Sequence, residues 1–260
     1  MTTNYLDQLF GMTGQVAVVI GGTGVLGGAL ALGLAQAGAS VVVSGRDPEK
    51  GATRVREIEG VGGIASFAPV DVMARASIEG LLSGVLSSHG RVDMLINGAG
   101  VNSASPYFDA KDEDWDRVLD SNLKAVHHGC QIFGKHMSLN GGGSICNIAS
   151  ITAHVPLSRV FAYSASKAAV INLTQNVARE LAPMGVRVNA LCPGFFPAEQ
   201  NRKILDAARV ENIMRNTPMA RFGEPHELVG ATLLMLARNA GSFITGAAYY
   251  VDGGFTAMRF

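Results

Sequence analysis

The sequence predicts a single-domain α/β fold in which a doubly wound sheet of about seven parallel strands carries helices on both faces. Three observations predict it: short, continuous apolar runs rich in β-branched residues, helical segments between them, and a glycine-rich turn joining the first run to the first helix. Alternation of this kind implies right-handed crossovers and one sheet buried on both sides.

Val16 to Ile20 is the first buried strand, ending in glycines, and Leu26 to Ala37 is a helix of small and leucyl residues closed by Gly38. Val41 to Val43 is the second strand. Pro48 to Glu59 is the second helix, with its proline in the first turn. Ile64 to Ala68 and Ala74 to Ser88 form the third strand and helix, and Met94 to Ile96 the fourth strand. Glu113 to Met137 reads as one long helix, followed by a strand at Ser144 to Ile148 and a helix at Tyr163 to Leu181. Val186 to Leu191 and Ala248 to Val251 complete the sheet. One domain is expected over residues 1–260, and the irregular stretch of about 193–221, which carries a short helix, is expected to cover the substrate.

Composition narrows the function classes. The chain is 48% hydrophobic, enough for a sizeable core, and its 21 basic and 21 acidic residues leave no global field for nucleic acid or an acidic membrane surface. No charged residue lies between Asp7 and Arg46, yet glycines at 21, 22 and 24 interrupt the stretch well short of the ~18–20 apolar residues of a membrane span. It also lacks the basic start of a cleaved signal. Cys130, Cys146 and Cys192 are odd in number and show no metal or disulfide spacing, so they read as buried small hydrophobes in a reducing, cytoplasmic setting. No metal site is expected.

Gly21, Gly22, Thr23, Gly24, Val25, Leu26, Gly27 and Gly28 join the first strand to a helix. Glycines there allow a tight turn and let backbone N–H groups approach a pyrophosphate. Gly45 ends the second strand where a site for an unphosphorylated ribose wants a carboxylate, and Arg46 follows it. That pattern favours NADP over NAD. Asp71 and Val72 follow the third strand and are placed to meet the adenine. Asn97, Gly98, Ala99 and Gly100 close the fourth strand beside the cofactor.

Tyr163 and Lys167 are four residues apart and share a helix face. An ammonium about 4 Å from a phenol favours phenolate by up to about 4 kcal/mol at an effective dielectric near 20, which would suit Tyr163 to acid–base work. Ser150, thirteen residues earlier, ends the fifth strand and is placed to bond the same substrate oxygen. Asn122, inside a helix where asparagine is unfavourable, is a candidate holder of a water linking Lys167 to solvent.

These motifs, in this order and spacing, resemble the short-chain dehydrogenase/reductase family over nearly the whole chain, through Pro193 and Gly194 to Val251–Gly254. The resemblance implies a Rossmann-like seven-stranded sheet, NADP or NAD, a Ser150–Tyr163–Lys167 catalytic group supported by Asn122, and a homotetramer or homodimer. It also implies that Lys167 holds the nicotinamide ribose. Ile20 and Val25 stand where the family's first loop usually has threonine and its middle glycine. The threonine usually found after Pro-Gly is replaced, with Ala198 nearest. Gly24–Gly27, Leu95–Gly100, Pro193–Phe196 and Arg221–Pro225 resemble the branch containing D-mannonate oxidoreductase and the gluconate dehydrogenases, implying a sugar-acid substrate. A polyol carboxylate would want amides, hydroxyls and a cation; Asn102, Ser103, His154, Arg159, Gln200, Asn201 and Arg202 are candidates, with Arg159 or Arg202 clamping the carboxylate. A 3-oxoacyl-carrier or general ketone reductase on the same scaffold is the alternative, and a non-enzymatic dinucleotide-binding protein a remote one.

Overall fold

In the computed structural model, which describes residues 4–196 and 207–257, seven parallel strands form one sheet in the order β3-β2-β1-β4-β5-β6-β7. The strands are β1 Val16–Ile20, β2 Ser40–Gly45, β3 Ile64–Pro69, β4 Met94–Asn97, β5 Gly143–Ile148, β6 Val186–Pro193 and β7 Ala248–Val251. All seven expected strands are present. The chain builds outward from β1 to β3, returns to place β4 on the other side of β1, and continues to β7. A switch of direction between β1 and β4 opens a crevice at the carboxyl ends of the strands.

The helices α1 Tyr5–Phe10, α2 Val25–Gln36, α3 Pro48–Gly60, α4 Arg75–His89, α5 Asp112–Leu119, α6 Ala125–Leu139, α7 Phe161–Leu181, α8 Ala207–Asn216 and α9 Val229–Leu236 cover the sheet and its edges. Alternation along β1 divides the core. Val16, Val18 and Ile20 pack with Ile78 and Val85 of α4, Phe133 of α6 and Val170 of α7, while Ala17 and Val19 face Leu30 and Leu34 of α2 and Met235 of α9. Each central strand is thus buried on both faces, which is why its sequence shows no polar alternation.

The segment 113–137, read from sequence as one helix, is interrupted. Asp120–Lys124 forms a π-helical turn between α5 and α6. The wider turn admits an extra residue, and Asn122 lies within it, fully buried. Apolar periodicity runs on both sides of the interruption, so periodicity alone reads straight through. Of the expected covering segment, residues 197–206 lie outside the described residues. α8 belongs to it, and its described ends are fixed: Met219 N–H donates to Gly253 O at 3.1 Å and Gly223 N–H to Phe195 O at 2.9 Å. No described helix is long and apolar enough to cross a membrane.

Candidate active site

A cleft of about 1110 Å³ follows the carboxyl ends of β1, β2, β4 and β5, slightly larger than the usual small-molecule site. The glycine loop forms its floor. Gly21 has φ +84°, and a Cβ there would lie 2.6 Å from the Gly98 carbonyl carbon, so β1 and β4 close on each other only through glycine. Gly27 is equally constrained, its Cβ position being 2.2 Å from Gly21 O. Val25 begins α2 with Gly24 as a cap that offers no side chain, so a side chain at 25 is tolerated where the usual pattern has glycine. Gly21, Thr23, Gly24, Val25, Leu26, Gly27, Arg46, Gly98, Tyr163, Lys167 and Pro193, all expected at a dinucleotide site, line this cleft.

Other expected residues do not line it. Asn97 turns its side chain into the interior, where Nδ2 donates to Asn147 Oδ1 at 2.8 Å and lies 3.7 Å from the Cys130 sulfur. Its position one residue before the glycine bend gives it the opposite face of the sheet. Asp71 folds its carboxylate onto Met73 N–H at 3.0 Å in its own turn, and Val72 and Ala99 pack on the core. Gly194 sits against Asp252, where a Cβ would be 2.6 Å from the Asp252 Cα.

At one end of the cleft β5 and α7 bring the expected catalytic group together. Ser150 is buried just after β5, accepts from Thr152 N–H at 3.2 Å, and acts on the Tyr163 phenol to lower its pKa. Lys167 is buried, donates from Nζ to Ile148 O at 2.7 Å, and lies 5.5 Å from the centre of the Tyr163 ring. The titration differs from the sequence expectation. Burial raises the Tyr163 phenol above its ordinary value against the lowering effect of Ser150, and burial pushes Lys167 down to about 8. Desolvation acts on both groups and outweighs their mutual attraction at this separation.

Asn122 is fixed by bonds to two other segments. Its Oδ1 accepts from Val101 N–H at 2.8 Å, and its Nδ2 donates to Val101 O at 2.9 Å and to Ser166 Oγ at 3.1 Å. Ser166 in turn donates to Tyr163 O at 2.7 Å. Both amide hydrogens are committed to protein groups, and Asn122 ties the end of β4 to the first turns of α7. Ser166 was not legible as part of the site, because a serine inside an apolar helix carries no motif. Asn147 and Thr174, which extend the buried polar layer under the site through a 2.9 Å hydrogen bond, were equally unmarked.

The described substrate candidates, Asn102, Ser103, His154 and Arg159, do not line the cleft. Asn102 follows β4, with its Oδ1 buried and unpartnered among the described residues. His154 is exposed and meets the Tyr250 ring edge-on at 5.7 Å between centroids. Arg159 (φ +72°) precedes α7 and shares a small recess with Ser103, Lys111, Asp114 and Trp115. Gln200, Asn201 and Arg202, like Ala198, lie outside the described residues. The three cysteines are buried, and burial pushes their thiols up to about 12.

The opposite end of the cleft lies along the first turns of α3. A Cβ on Gly45 would fall 2.5 Å from Thr23 Oγ1, so the place of a ribose-binding carboxylate is already occupied. Arg46 is exposed, and its side chain has no hydrogen bond or ion pair among the described residues.

Comparison with known proteins matches residues 10–256 to the family described as enoyl-(acyl carrier protein) reductase. An uncharacterized oxidoreductase, UxuB, of Bacillus subtilis (strain 168) is 36% identical, over 95% of this chain and 96% of its own. Gluconate 5-dehydrogenase of Gluconobacter oxydans (strain 621H) is 34% identical over 96% and 97%. The 3-oxoacyl-[acyl-carrier-protein] reductase FabG of Thermotoga maritima is 35% identical over 94% and 98%. A solved gluconate 5-dehydrogenase from Burkholderia cenocepacia J2315, in complex with NADP and tartrate, superimposes with a TM-score of 0.93 at 32% identity, over 98% of this chain and all of that one.

Proposed function

The chain belongs to the short-chain dehydrogenase/reductase family, an oxidoreductase acting on CH–OH and carbonyl groups, and from that premise we propose an NADP-dependent sugar-acid dehydrogenase. Its substrate pair is a hydroxy acid and its keto acid, of the gluconate/keto-gluconate or mannonate/fructuronate type; NAD is the weaker cofactor. The meeting of Ser150, Tyr163 and Lys167 at one end of the glycine-floored cleft carries the reaction. Gly45, pinned by Thr23, and the unpartnered Arg46 carry the cofactor preference. The gluconate 5-dehydrogenase relatives, one of them solved with NADP, support the substrate class.

A dinucleotide held in the cleft by the glycine loop, Arg46 and Lys167 would supply the hydride in reduction and accept it in oxidation. The chain's own residues manage the oxygen. With a lone pair of its oxygen taken by Thr152 N–H, the Ser150 hydroxyl donates to the substrate oxygen. Tyr163 gives its proton to that oxygen in reduction and takes it back in oxidation. Burial keeps the phenol protonated at neutral pH, the state a donor needs. Lys167, with its value near 8, is an ammonium at neutrality and offsets the charge left on the phenolate.

The test is initial rates with D-gluconate, 5-keto-D-gluconate, D-fructuronate and a 3-oxoacyl thioester, each with the phosphorylated and unphosphorylated dinucleotide. Sugar-acid turnover favouring NADP is the expected result. Turnover of the thioester alone would replace the substrate class with the reading favoured by the FabG relative.

A further inference from the structure

The glycine at position 28 makes room for an arginine from another helix. Gly28 is buried in the first turn of α2, and a Cβ there would lie 2.3 Å from Arg54 Nε and 2.6 Å from the centre of its guanidinium. Arg54 comes from the second turn of α3 and lies flat across this notch, held by an ion pair from Nη1 to Glu57 Oε2 three residues on. Its other N–H groups have no acceptor among the described residues, and Arg54 lines the cleft beside Gly24, Arg46 and Lys50. The opposing charges are largely committed: Asp47 accepts from Glu49 N–H and Lys50 N–H at 3.0 and 3.1 Å, and Glu57 is engaged by Arg54 itself. Glu49 remains on the exposed rim.

We propose that Arg54, seated over Gly28, is a specificity-determining residue that reads a phosphate monoester at the end of the cleft remote from Tyr163. The inference rests on the dinucleotide reading above. The nicotinamide must lie at the Tyr163 end, so the adenosine ribose and its phosphate meet α3. Arg46 is exposed and unrestrained, whereas Arg54 is oriented by Glu57 and by the notch. A guanidinium held in place before the ligand arrives loses less freedom on binding and presents two parallel donors to an anion.

Calorimetric titration of the full chain with adenosine 2′,5′-bisphosphate and with 5′-AMP tests this without turnover. The unaltered chain should prefer the bisphosphate. Arg54→Ala should weaken the bisphosphate about 10- to 100-fold while 5′-AMP stays within about twofold, which also reports that the variant is folded. Gly28→Ala, which keeps the charge but fills the notch, should cost part of the same preference. Binding of neither nucleotide by the unaltered chain would remove the dinucleotide reading itself. Equal binding of both would remove the phosphate preference and this proposal with it. A preference that survives Arg54→Ala, or an equal loss for both nucleotides, would overturn the role of Arg54 alone.

Discussion

The two ends of the cleft are built on opposite principles. At the proposed catalytic end Ser150, Lys167, Asn122 and Ser166 are buried, and each is bonded to a protein partner. At the α3 end Arg46, Glu49 and Lys50 are exposed, and the side chains of Arg46 and Lys50 have no partner among the described residues. Buried polar groups are costly unless satisfied, so the first end holds its geometry before any ligand arrives. Exposed charges cost little to leave unpaired, so the second end can be altered without loss of the fold. Changes at the catalytic end should therefore reach rate and stability, and changes at the other end affinity alone.

The largest effect should come from Tyr163→Phe. Losing the proton donor should lower kcat by about 10²- to 10⁴-fold, with dinucleotide affinity by fluorescence titration changed less than about twofold. Retained turnover would remove the assignment of Tyr163 and break the contrast at its centre. Asn122→Ala comes next. It strands Val101 N–H and O and one partner of Ser166 in a buried place, so urea unfolding should show a loss of about 2–4 kcal/mol. As a positioning residue Asn122 should affect kcat more than KM, and Asn122→Ser should recover part of the rate. A loss below about 0.5 kcal/mol would mean that the catalytic end is not held as described.

The same contrast explains what the sequence discloses. Strands such as Val16–Ile20 are legible because burial on both faces demands unbroken apolar residues, and the meeting of Ser150, Tyr163 and Lys167, the proposed catalytic group, because their spacing is tied to that chemistry. Val229–Leu236, apolar on nearly every side, carries no readable face and is not predicted as a helix. The direction of the Asn97 side chain depends on where a strand stops, a boundary that sequence periodicity leaves open by a residue or two. The π turn around Asn122 and the seating of Arg54 over Gly28 depend on partners far away in sequence, and neither residue alone shows the relation. The shift of Tyr163 reversed for a similar reason: spacing reveals the nearby ammonium but not the depth at which both groups lie.

Gly45→Asp sharpens the comparison from the α3 side. Its Cβ would press on Thr23 Oγ1, and its carboxylate would stand beside Arg46, where a ribose phosphate is expected. NADP affinity should fall about 10- to 100-fold, and NAD affinity should stay level or rise. Adding Thr23→Ala leaves the nearest remaining Thr23 carbon 3.3 Å from the new Cβ and should improve NAD binding further. Thermal unfolding should move little. A large drop in melting temperature would show that the α3 end is as tightly specified as the catalytic end, and the contrast would fail.

The smallest effect concerns the energetic cost of the catalytic end. Lys167 titrates near 8 when folded, below the ordinary lysine value near 10.4, so between those pH values the unfolded chain binds a proton that the folded chain has released. Stability contributed by this group therefore rises with pH across that window, and below about pH 8 the folded state bears the full cost of a buried ammonium. The three buried thiols act in the opposite sense as pH rises above their unfolded values, since they stay protonated only when folded. Their contribution cancels in a comparison of Lys167→Met with the unaltered chain. At pH 7 the variant should be inactive yet more stable, by about 1–2 kcal/mol once the lost hydrogen bond to Ile148 is set against the relieved desolvation. The gap should narrow toward pH 10.5 in urea titrations. A gap independent of pH would mean that Lys167 is not a strained charge, and that the catalytic end gains its order without sacrificing stability.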